Sequence, residues 1–233
     1  MGNEVVPQEF PRPAAFETHA RARRSYDALS PWYDLLTAGQ ENALRAAALK
    51  AFALQPGEHV LEVGFGTGTA LAAMIAAVGE TGRVWGLDLS PGMARVARRR
   101  LRSTRRTSCV GLACGDALRL PLRAASMDAL FLSFTLELLE AVEIPIALGE
   151  CRRVLRRSGR MGLVCLSSEA GSSAVNNLYA LAHARWPRVL DCRPIRPREW
   201  LVACGWSILT HRPMSLWGLG VEIVVCRSAR DEP

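Results

Sequence analysis

A glycine-rich turn constrains this chain more than any other feature of its sequence. Residues 60–63 are Val-Leu-Glu-Val, and Gly64, Gly66 and Gly68 follow directly. Glycines let a backbone turn tightly and approach a ligand closely, and a helix that starts after such a turn presents free amide donors. The segment predicts a buried strand, a ligand-binding turn and a helix. A dinucleotide-binding turn, or a tight turn without a ligand, fits the same glycines.

Apolar runs of strand length alternate with helical patterns along the rest of the chain. Strands are predicted over residues 59–63, 83–87, 108–113, 127–134, 160–166, 207–211 and 220–226. Helices are predicted over residues 41–53, 69–78, 93–101, 144–155, 169–187 and 198–204. The alternation predicts an α/β fold with a Rossmann-like, seven-stranded, mostly parallel sheet and helices on both faces.

The length of 233 residues suits one sizeable domain better than two. We predict a disordered tail over residues 1–15 and a single domain over residues 16–228. Its predicted parts are an N-terminal helical cap (16–54), a ligand-binding core (57–168) and a small inserted helical lid or substrate segment (169–205).

Three carboxylates stand where predicted strands end. Glu62 lies just before the first glycine, Asp88 ends the second strand, and Asp116 follows the third. The carboxyl ends of parallel strands share one edge of a sheet, where ligands bind, and a carboxylate about twenty residues beyond the turn can accept both hydroxyls of a ribose. The three acids therefore predict one ligand site at this edge.

Four segments in this order carry a resemblance to a known family. They are residues 62–68, 86–93, 115–121 and 153–160. They resemble motif I, the second motif, the adenine-side motif and the segment before strand five of the class I S-adenosylmethionine-dependent methyltransferases. In the last segment Arg-Ser-Gly-Arg replaces the usual Lys-Pro-Gly-Gly, which a turn tolerates. An NAD-dependent oxidoreductase is disfavoured, because its turn would have glycine where this chain has Thr69.

The resemblance implies S-adenosyl-L-methionine as the cofactor and S-adenosyl-L-homocysteine as the product. It places the methionine part on the amides of residues 64–68 with Glu62 near the ammonium group, the ribose on Asp88, and the adenine amino group on Asp116. Leu89 and Ala117 are expected at the adenine, and Ser133 and Phe134 at the sulfonium and the acceptor. The full set of implied cofactor residues is Tyr26, Glu62, Gly64, Phe65, Gly66, Thr67, Gly68, Asp88, Leu89, Met93, Gly115, Asp116, Ala117, Ser133 and Phe134.

Within this superfamily the chain is most similar to the menaquinone/ubiquinone C-methyltransferase group. Residues 26–34, Tyr-Asp-Ala-Leu-Ser-Pro-Trp-Tyr-Asp, resemble its N-terminal helix pair. Phosphatidylethanolamine N-methyltransferases share this opening, so the acceptor stays open between a quinol-like aromatic and a phospholipid. A methyltransferase-like module without turnover is a third alternative, which the intact acids disfavour.

An acceptor that must lose a proton needs a base, and the sequence offers several candidates. His183, in the predicted lid, and Tyr33 are the two that we favour, because a histidine titrates near neutral pH. Asp191 and Glu137 are alternatives, and each candidate is equally compatible with a packing role. Aromatic side chains that could wall the acceptor pocket are Tyr179, Trp186, Trp200, Trp206 and Trp217, and Arg193 or Arg196 could bind an anionic group of the acceptor.

The net charge of +7 comes almost entirely from arginine. The densest cluster, residues 95–106, has no interleaved aromatic residues, so we expect no nucleic-acid partner, while a peripheral contact with an anionic membrane surface stays open. Seven scattered cysteines without a Cys-x-x-Cys pair predict neither disulfides nor a metal site. No signal-peptide pattern or membrane-length apolar run is present, so a cytoplasmic protein with a small-molecule or lipid-like acceptor is expected.

Overall fold

The computed structural model describes residues 40–102, 109–185 and 192–229. Its strands are β1 (His59–Val63), β2 (Arg83–Asp88), β3 (Val110–Cys114), β4 (Met127–Ser133), β5 (Leu155–Gly171), β6 (Trp206–Leu216) and β7 (Leu219–Ser228). Its helices are α1 (Gln40–Phe52), α2 (Thr69–Val78), α3 (Pro91–Leu101), α4 (Ile144–Val154), α5 (Ser173–Arg185) and α6 (Pro197–Ala203), with a 3₁₀ turn over Leu136–Leu138. The sequence predictions for Tyr26, Tyr33, Trp186 and Asp191 lie outside the described residues.

The strands form one sheet in the order β3-β2-β1-β4-β5-β7-β6. The first five strands in this order pair in parallel, whereas β7 is antiparallel to both β5 and β6. The order reverses between β1 and β4, and crevices for ligands open at such a reversal, outside the carboxyl ends of the strands. The predicted seven-stranded, mostly parallel α/β sheet is confirmed.

Two apolar clusters cover the two faces of the sheet. One cluster joins α1, α2 and α3 to the sheet and includes Phe52, Met74 and Phe131. The other joins α4 and α6 to the opposite face and includes Leu148 and Trp206. Strands buried on both sides need continuous apolar runs, which explains the sequence of β4.

Helix α1 is fixed to the sheet by an aromatic ring and an arginine. Phe52, at its last position, is buried and lies 5.5 Å from the ring of Phe131. Gly162 on β5 makes room for this ring, since a Cβ there would be 2.8 Å from Phe52. Arg160 donates to the carbonyls of Phe52 and Ala53, both at 2.8 Å. Arginine satisfies the open carbonyls at a helix end, so the departure from the family pattern at Arg160 anchors α1.

Several predicted boundaries in the C-terminal part were wrong. Strand β5 continues to Gly171, where a helix from residue 169 was predicted, and β6 extends to Leu216. Both extensions arise because β7 pairs antiparallel with β5 and with β6 far beyond the end of β4. No helix in the described ranges is long and apolar enough to cross a membrane. The division into cap, core and lid stays a prediction.

Candidate active site

A cavity opens at the carboxyl ends of β1, β2 and β4, where the strand order reverses. It encloses about 1140 Å³ of space when its open mouth is included. Its walls come from α1, the glycine-rich turn, the ends of the three strands and the 3₁₀ turn. The lining residues are Arg45, Glu62, Val63, Gly64, Phe65, Gly66, Thr67, Thr69, Ala70, Leu87, Asp88, Leu89, Ser90, Met93, Gly115, Asp116, Ala117, Ser133, Phe134, Thr135, Leu138 and Leu139.

The cavity brings together every described residue of the implied cofactor set except Gly68. That glycine lies at the start of α2 with φ of 79°, where a Cβ would be 2.9 Å from Ala97. Glycine at this position lets α2 approach α3 closely. The binding of the cofactor by Gly68 stays a prediction.

The turn uses its glycine amides internally. Gly64 donates to the carbonyl of Leu87 at 2.7 Å, Gly66 donates to Asp88 Oδ2 at 2.8 Å, and Gly68 donates to the carbonyl of Phe65 at 2.9 Å. The binding of the cofactor's methionine part by the amides of residues 64–68 stays a prediction. Their hydrogen bonds fix the shape of the turn, and the missing side chains leave its inner surface open.

Two carboxylates at the strand ends double as turn anchors. Asp88 accepts from Gly66 and, through Oδ1, from the amide of Ser90 at 2.8 Å. Asp116 Oδ1 accepts from the amide of Leu118 at 2.8 Å. A carboxylate oxygen has more than one lone pair, so both acids can also accept from a ligand. The fixed positions of the two side chains preorganise the cavity.

Two buried polar atoms in the cavity wall lack a hydrogen-bond partner within the described residues. They are Oε2 of Glu62 and Oγ of Ser133. Buried polar atoms in native proteins are nearly always paired, so an orphan at a cavity wall points to a ligand. A ligand with an ammonium group would pair Glu62, and S-adenosyl-L-methionine carries one. These unpaired oxygens therefore fit this cofactor.

Burial governs the ionisation of Glu62. Its side chain is 2% exposed. Desolvation raises its pKa to about 8, the charge of Arg45 lowers the pKa, and the charge of Asp88 raises it. A buried carboxylate facing a second carboxylate holds its proton until a cation approaches.

The chain leaves β4 through a strained residue. Phe134 has a φ of 52°, a conformation that costs a bulky side chain energy and often marks functional sites. The adjacent Thr135 donates through Oγ1 to the carbonyl of Val63 at 3.2 Å and fills the space beside Gly64. This local structure turns the Phe134 side chain to the cavity wall.

Sequence reasoning missed part of the cavity wall. Arg45, Thr135, Leu138 and Leu139 line it, and none of them belongs to a recognisable motif. Arg45 sits in an Ala-rich helix whose docking is decided by Phe52, a long-range contact. The two leucines follow β4 directly, so their spacing from Ser133 was the one available signal.

Two of the candidate bases, Glu137 and His183, lie in the described residues. Glu137 is buried, lies outside the cavity lining and accepts from the amide of Leu166 at 2.9 Å, and its role as a base stays a prediction. His183 lies on α5, and its role as a base stays a prediction, as does that of Tyr33.

Four of the aromatic residues that were predicted to wall the acceptor pocket are described by the structure, and none of the four lies in the cavity lining. Trp206 is buried in the cluster under α4 and α6, with Arg152 5.4 Å above its ring. Trp200 packs against the same cluster, and Trp217 is 58% exposed at the β6–β7 turn. Tyr179 donates to the carbonyl of Cys192 at 3.0 Å. A role of these aromatic residues in walling the acceptor stays a prediction.

The two arginines that could bind an anionic group of the acceptor, Arg193 and Arg196, have different surroundings. Arg193 approaches the cavity rim, with Nη2 3.5 Å from the carbonyl of Leu139. Arg196 forms an exposed ion pair with Glu199 at 3.1 Å, in line with a surface salt bridge. No group of metal-ligating side chains occurs in the part of the chain that the structure describes.

Comparison with known proteins identifies the domain around this cavity. Residues 60–159 match the family described as "Methyltransferase domain". This part of the chain is similar to methyltransferase domains. The match begins inside β1 and ends in β5, so it contains the glycine-rich turn and all three acids. It confirms the resemblance to class I S-adenosylmethionine-dependent methyltransferases and the cofactor that the resemblance implied.

Curated relatives are similar to a longer part of the chain, about 160 residues. A demethylmenaquinone methyltransferase of Clavibacter sepedonicus is 37% identical over 67% of this chain and 62% of its own length. One of Symbiobacterium thermophilum is 29% identical over 67% of this chain and 62% of its own length. The chain thus spans about three fifths of the length of these relatives.

Solved structures support the fold of the methyltransferase domain. The crystal structure of the [4+2]-cyclase SpnF superposes with a TM-score of 0.72 at 19% identity, covering 90% of this chain and 96% of that one. A likeness at this identity shows the fold alone. Since this neighbour is named for a cyclase activity, the site and not the fold must carry the functional argument.

Proposed function

We propose that this protein transfers the methyl group of S-adenosyl-L-methionine to a small apolar acceptor, with a quinol-like aromatic as the leading candidate. One observation carries the proposal: a single cavity joins Glu62, Asp88 and Asp116 to the glycine-rich turn. The partnerless Glu62 Oε2 and Ser133 Oγ at its wall support a polar ligand. The family match over residues 60–159 supports the same cofactor.

In this proposal each of the three acids binds a different part of the cofactor. Asp88, anchored between Gly66 and Ser90, accepts the ribose hydroxyls. Asp116 accepts from the adenine amino group, and Leu89 packs against the ring. Glu62 pairs with the ammonium group at the far end of the ligand. Each contact places a fixed acceptor opposite a donor of the cofactor, so little side-chain freedom is lost on binding.

The acceptor side of the cavity favours an apolar molecule. Phe134, Leu138 and Leu139 line it beyond Ser133. An apolar wall with few polar groups binds flat or lipid-like molecules and orients them through the polar atoms that remain. The curated relatives named demethylmenaquinone methyltransferases support a quinol-like acceptor.

The cofactor, when bound, supplies an activated methyl group for in-line displacement. The chain's own residues then orient the acceptor and exclude water, which together lower the barrier without covalent participation of the protein. Ser133 Oγ can donate to, or accept from, a polar group of the acceptor. A base is needed where the acceptor must lose a proton, and His183 and Tyr33 are the proposed candidates.

Calorimetric titration with S-adenosyl-L-methionine and S-adenosyl-L-homocysteine tests the cofactor. We expect dissociation constants of about 1 μM, which correspond to a binding free energy of about −8 kcal/mol. Asp88→Ala should weaken both at least tenfold, because it removes the ribose acceptor and two anchors of the turn. Glu199→Gln, which changes an exposed acid, is the matched control. Absence of binding by the wild-type protein would overturn the proposal.

Methyl-labelled cofactor tests the acceptor. The panel holds soluble demethylated quinol precursors in one arm and phosphatidylethanolamine vesicles in the other, with and without anionic lipid. Label in the quinol arm supports the leading candidate. Label in phosphatidylethanolamine would replace it with the phospholipid. A rise with anionic lipid would support membrane contact through the exposed Arg95, Arg98 and Arg99 of α3 and Arg102 directly after it.

A further inference from the structure

One end of the cavity contains a buried acid with an oxygen that no described residue hydrogen-bonds. Glu62 is 2% exposed, and its Oε2 has no hydrogen-bond partner in the described ranges. A second carboxylate, Asp88, is near enough to act on its charge. Two acids at one cavity end favour the binding of a cation there, because a nearby positive charge stabilises the ionised form of Glu62.

Among the described residues that line the cavity, Arg45 is the one with a cationic side chain. It lines the cavity from α1, and its charge acts on Glu62. A zwitterion has two opposite charges within a few bond lengths, so a wall that offers an acid and an arginine together complements it at both ends. Arginine binds carboxylates through two parallel hydrogen bonds, which adds geometric specificity.

The helix that carries Arg45 is held firmly enough to position its side chain. Leu44, Ala48 and Phe52 bury the same face of α1 in the core. Arg160 caps the helix end and pairs with Glu58, with an Nη1–Oε1 distance of 2.6 Å. A preorganised arginine loses less conformational entropy on binding than one on a loose segment.

We propose that Arg45 binds the α-carboxylate of the cofactor's methionine part while Glu62 binds the α-ammonium group, so that the two residues form one zwitterion clamp. This inference rests on the proposed function, because it assumes that the cofactor occupies this cavity. It adds a binding residue outside the methyltransferase motifs. The clamp explains why an arginine from α1 reaches a cavity otherwise built by strand ends.

A pair of ligands isolates the clamp from the rest of the cofactor site. S-adenosyl-L-homocysteine carries the zwitterion, whereas 5′-methylthioadenosine keeps the adenine, the ribose and the sulfur but lacks the amino-acid part. Arg45→Gln should weaken the first ligand at least tenfold and change the second less than twofold. Lys50→Gln, an exposed change of equal charge on the same helix, should leave both affinities unchanged.

A third variant guards against a loss of folding. Arg45→Lys keeps the charge but loses the planar fork, so it should restore part of the affinity for S-adenosyl-L-homocysteine. Far-ultraviolet circular dichroism and the melting temperature establish that each variant is folded. All affinities come from calorimetry, a readout that is independent of turnover.

The outcomes separate the two proposals. Equal weakening of both ligands by Arg45→Gln, or no weakening of either, would overturn the clamp and leave the proposed function intact. A wild-type protein that binds 5′-methylthioadenosine as tightly as S-adenosyl-L-homocysteine would also overturn the clamp. Binding of neither ligand by the wild type would overturn the proposed function itself.

Discussion

The amide of Gly66 donates a hydrogen bond of 2.8 Å to the carboxylate of Asp88, 22 positions further along the chain. The second oxygen of that carboxylate accepts from the amide of Ser90 at 2.8 Å. One side chain therefore ties the glycine-rich turn to the end of β2. A residue placed to hold a ribose is also a structural clasp of the cavity.

Replacing Asp88 by asparagine tests this double role. Asparagine can accept on one side only, so its NH₂ group must face one of the two amides. We expect a loss of about 1–3 kcal/mol in the free energy of unfolding, measured by urea denaturation. Glu199→Gln should stay within about 0.5 kcal/mol of the wild type. Unchanged stability with weakened cofactor binding would contradict the clasp and leave Asp88 as a ligand residue alone.

Local signals allowed the N-terminal half of the sheet to be predicted closely. The bounds predicted for β1 and α2 agree with the structure, because Pro56-Gly57 and the glycine-rich turn punctuate them. Residues 169–171 show the limit of such signals. Their extended conformation depends on pairing with β7, about fifty residues away, and no local propensity encodes that partner.

Arg100 is a second clasp of the glycine-rich turn. Its Nη1 donates to the carbonyl and the hydroxyl of Thr67 at 2.9 and 2.8 Å and to the hydroxyl of Thr69 at 2.5 Å. Arg100→Met should therefore cost about 1–3 kcal/mol of unfolding free energy and weaken S-adenosyl-L-homocysteine. The exposed neighbour substitution Arg99→Met is the control, and urea titration with calorimetry gives both readouts. Equal effects of the two substitutions would refute a specific role of Arg100.

The candidate site divides into residues that sequence could and could not reveal. Glu62, Asp88 and Asp116 were predictable, because parallel strands end at one edge and the acids stand at those ends. Arg45 was not, because its position depends on how α1 packs. The direction of the Trp206 side chain was not predictable, because an aromatic residue in a strand can face either side of the sheet. Here Trp206 is buried, and Arg152 lies over its ring.

Stability should fall with rising pH because of Glu62. Burial raises its pKa to about 8, against an ordinary value of 4.5, with Arg45 lowering it and Asp88 raising it. Between these pH values the unfolded chain loses the proton that the folded chain keeps. The native state should then lose about 1.4 kcal/mol per pH unit, a loss that is absent below the lower value and complete above the upper one.

Glu62→Gln isolates this contribution. The variant has no proton to lose, so its unfolding free energy relative to the wild type should rise between about pH 5 and pH 8 with the slope just given. Other titrating groups cancel in the difference. Urea denaturation at several pH values gives the slope. A difference that stays flat with pH would show that Glu62 is ionised in the folded protein throughout.

Binding of the zwitterion should release a proton from Glu62. The ligand's ammonium group lowers the pKa of the carboxyl, which is otherwise held at about 8 by burial. Calorimetry at pH 7 in phosphate and in Tris, whose ionisation enthalpies differ, measures the number released. We expect about one proton with S-adenosyl-L-homocysteine, and none with 5′-methylthioadenosine or with Glu62→Gln. The same proton count for both ligands would place the titrating group elsewhere.

Gly64 and Gly66 offer a matched pair for separating folding from binding. Both have positive φ angles, 74° and 52°, so alanine costs each about 1–2 kcal/mol of backbone strain. A Cβ at Gly64 would lie 2.2 Å from Thr135 Oγ1, whereas one at Gly66 would meet no atom within 4 Å. Gly64→Ala should therefore lose a further 1–3 kcal/mol, roughly the cost of overpacking, as measured by urea denaturation.

The second substitution separates the roles, because Gly66 lines the cavity. Gly66→Ala should keep most of the stability and yet weaken S-adenosyl-L-homocysteine, since its methyl group narrows the open inner surface of the turn. Combining Gly64→Ala with Thr135→Ala should recover part of the lost stability, because the clashing side-chain atoms are gone. If both single variants lost equal stability, the contact with Thr135 would not be what requires glycine at position 64.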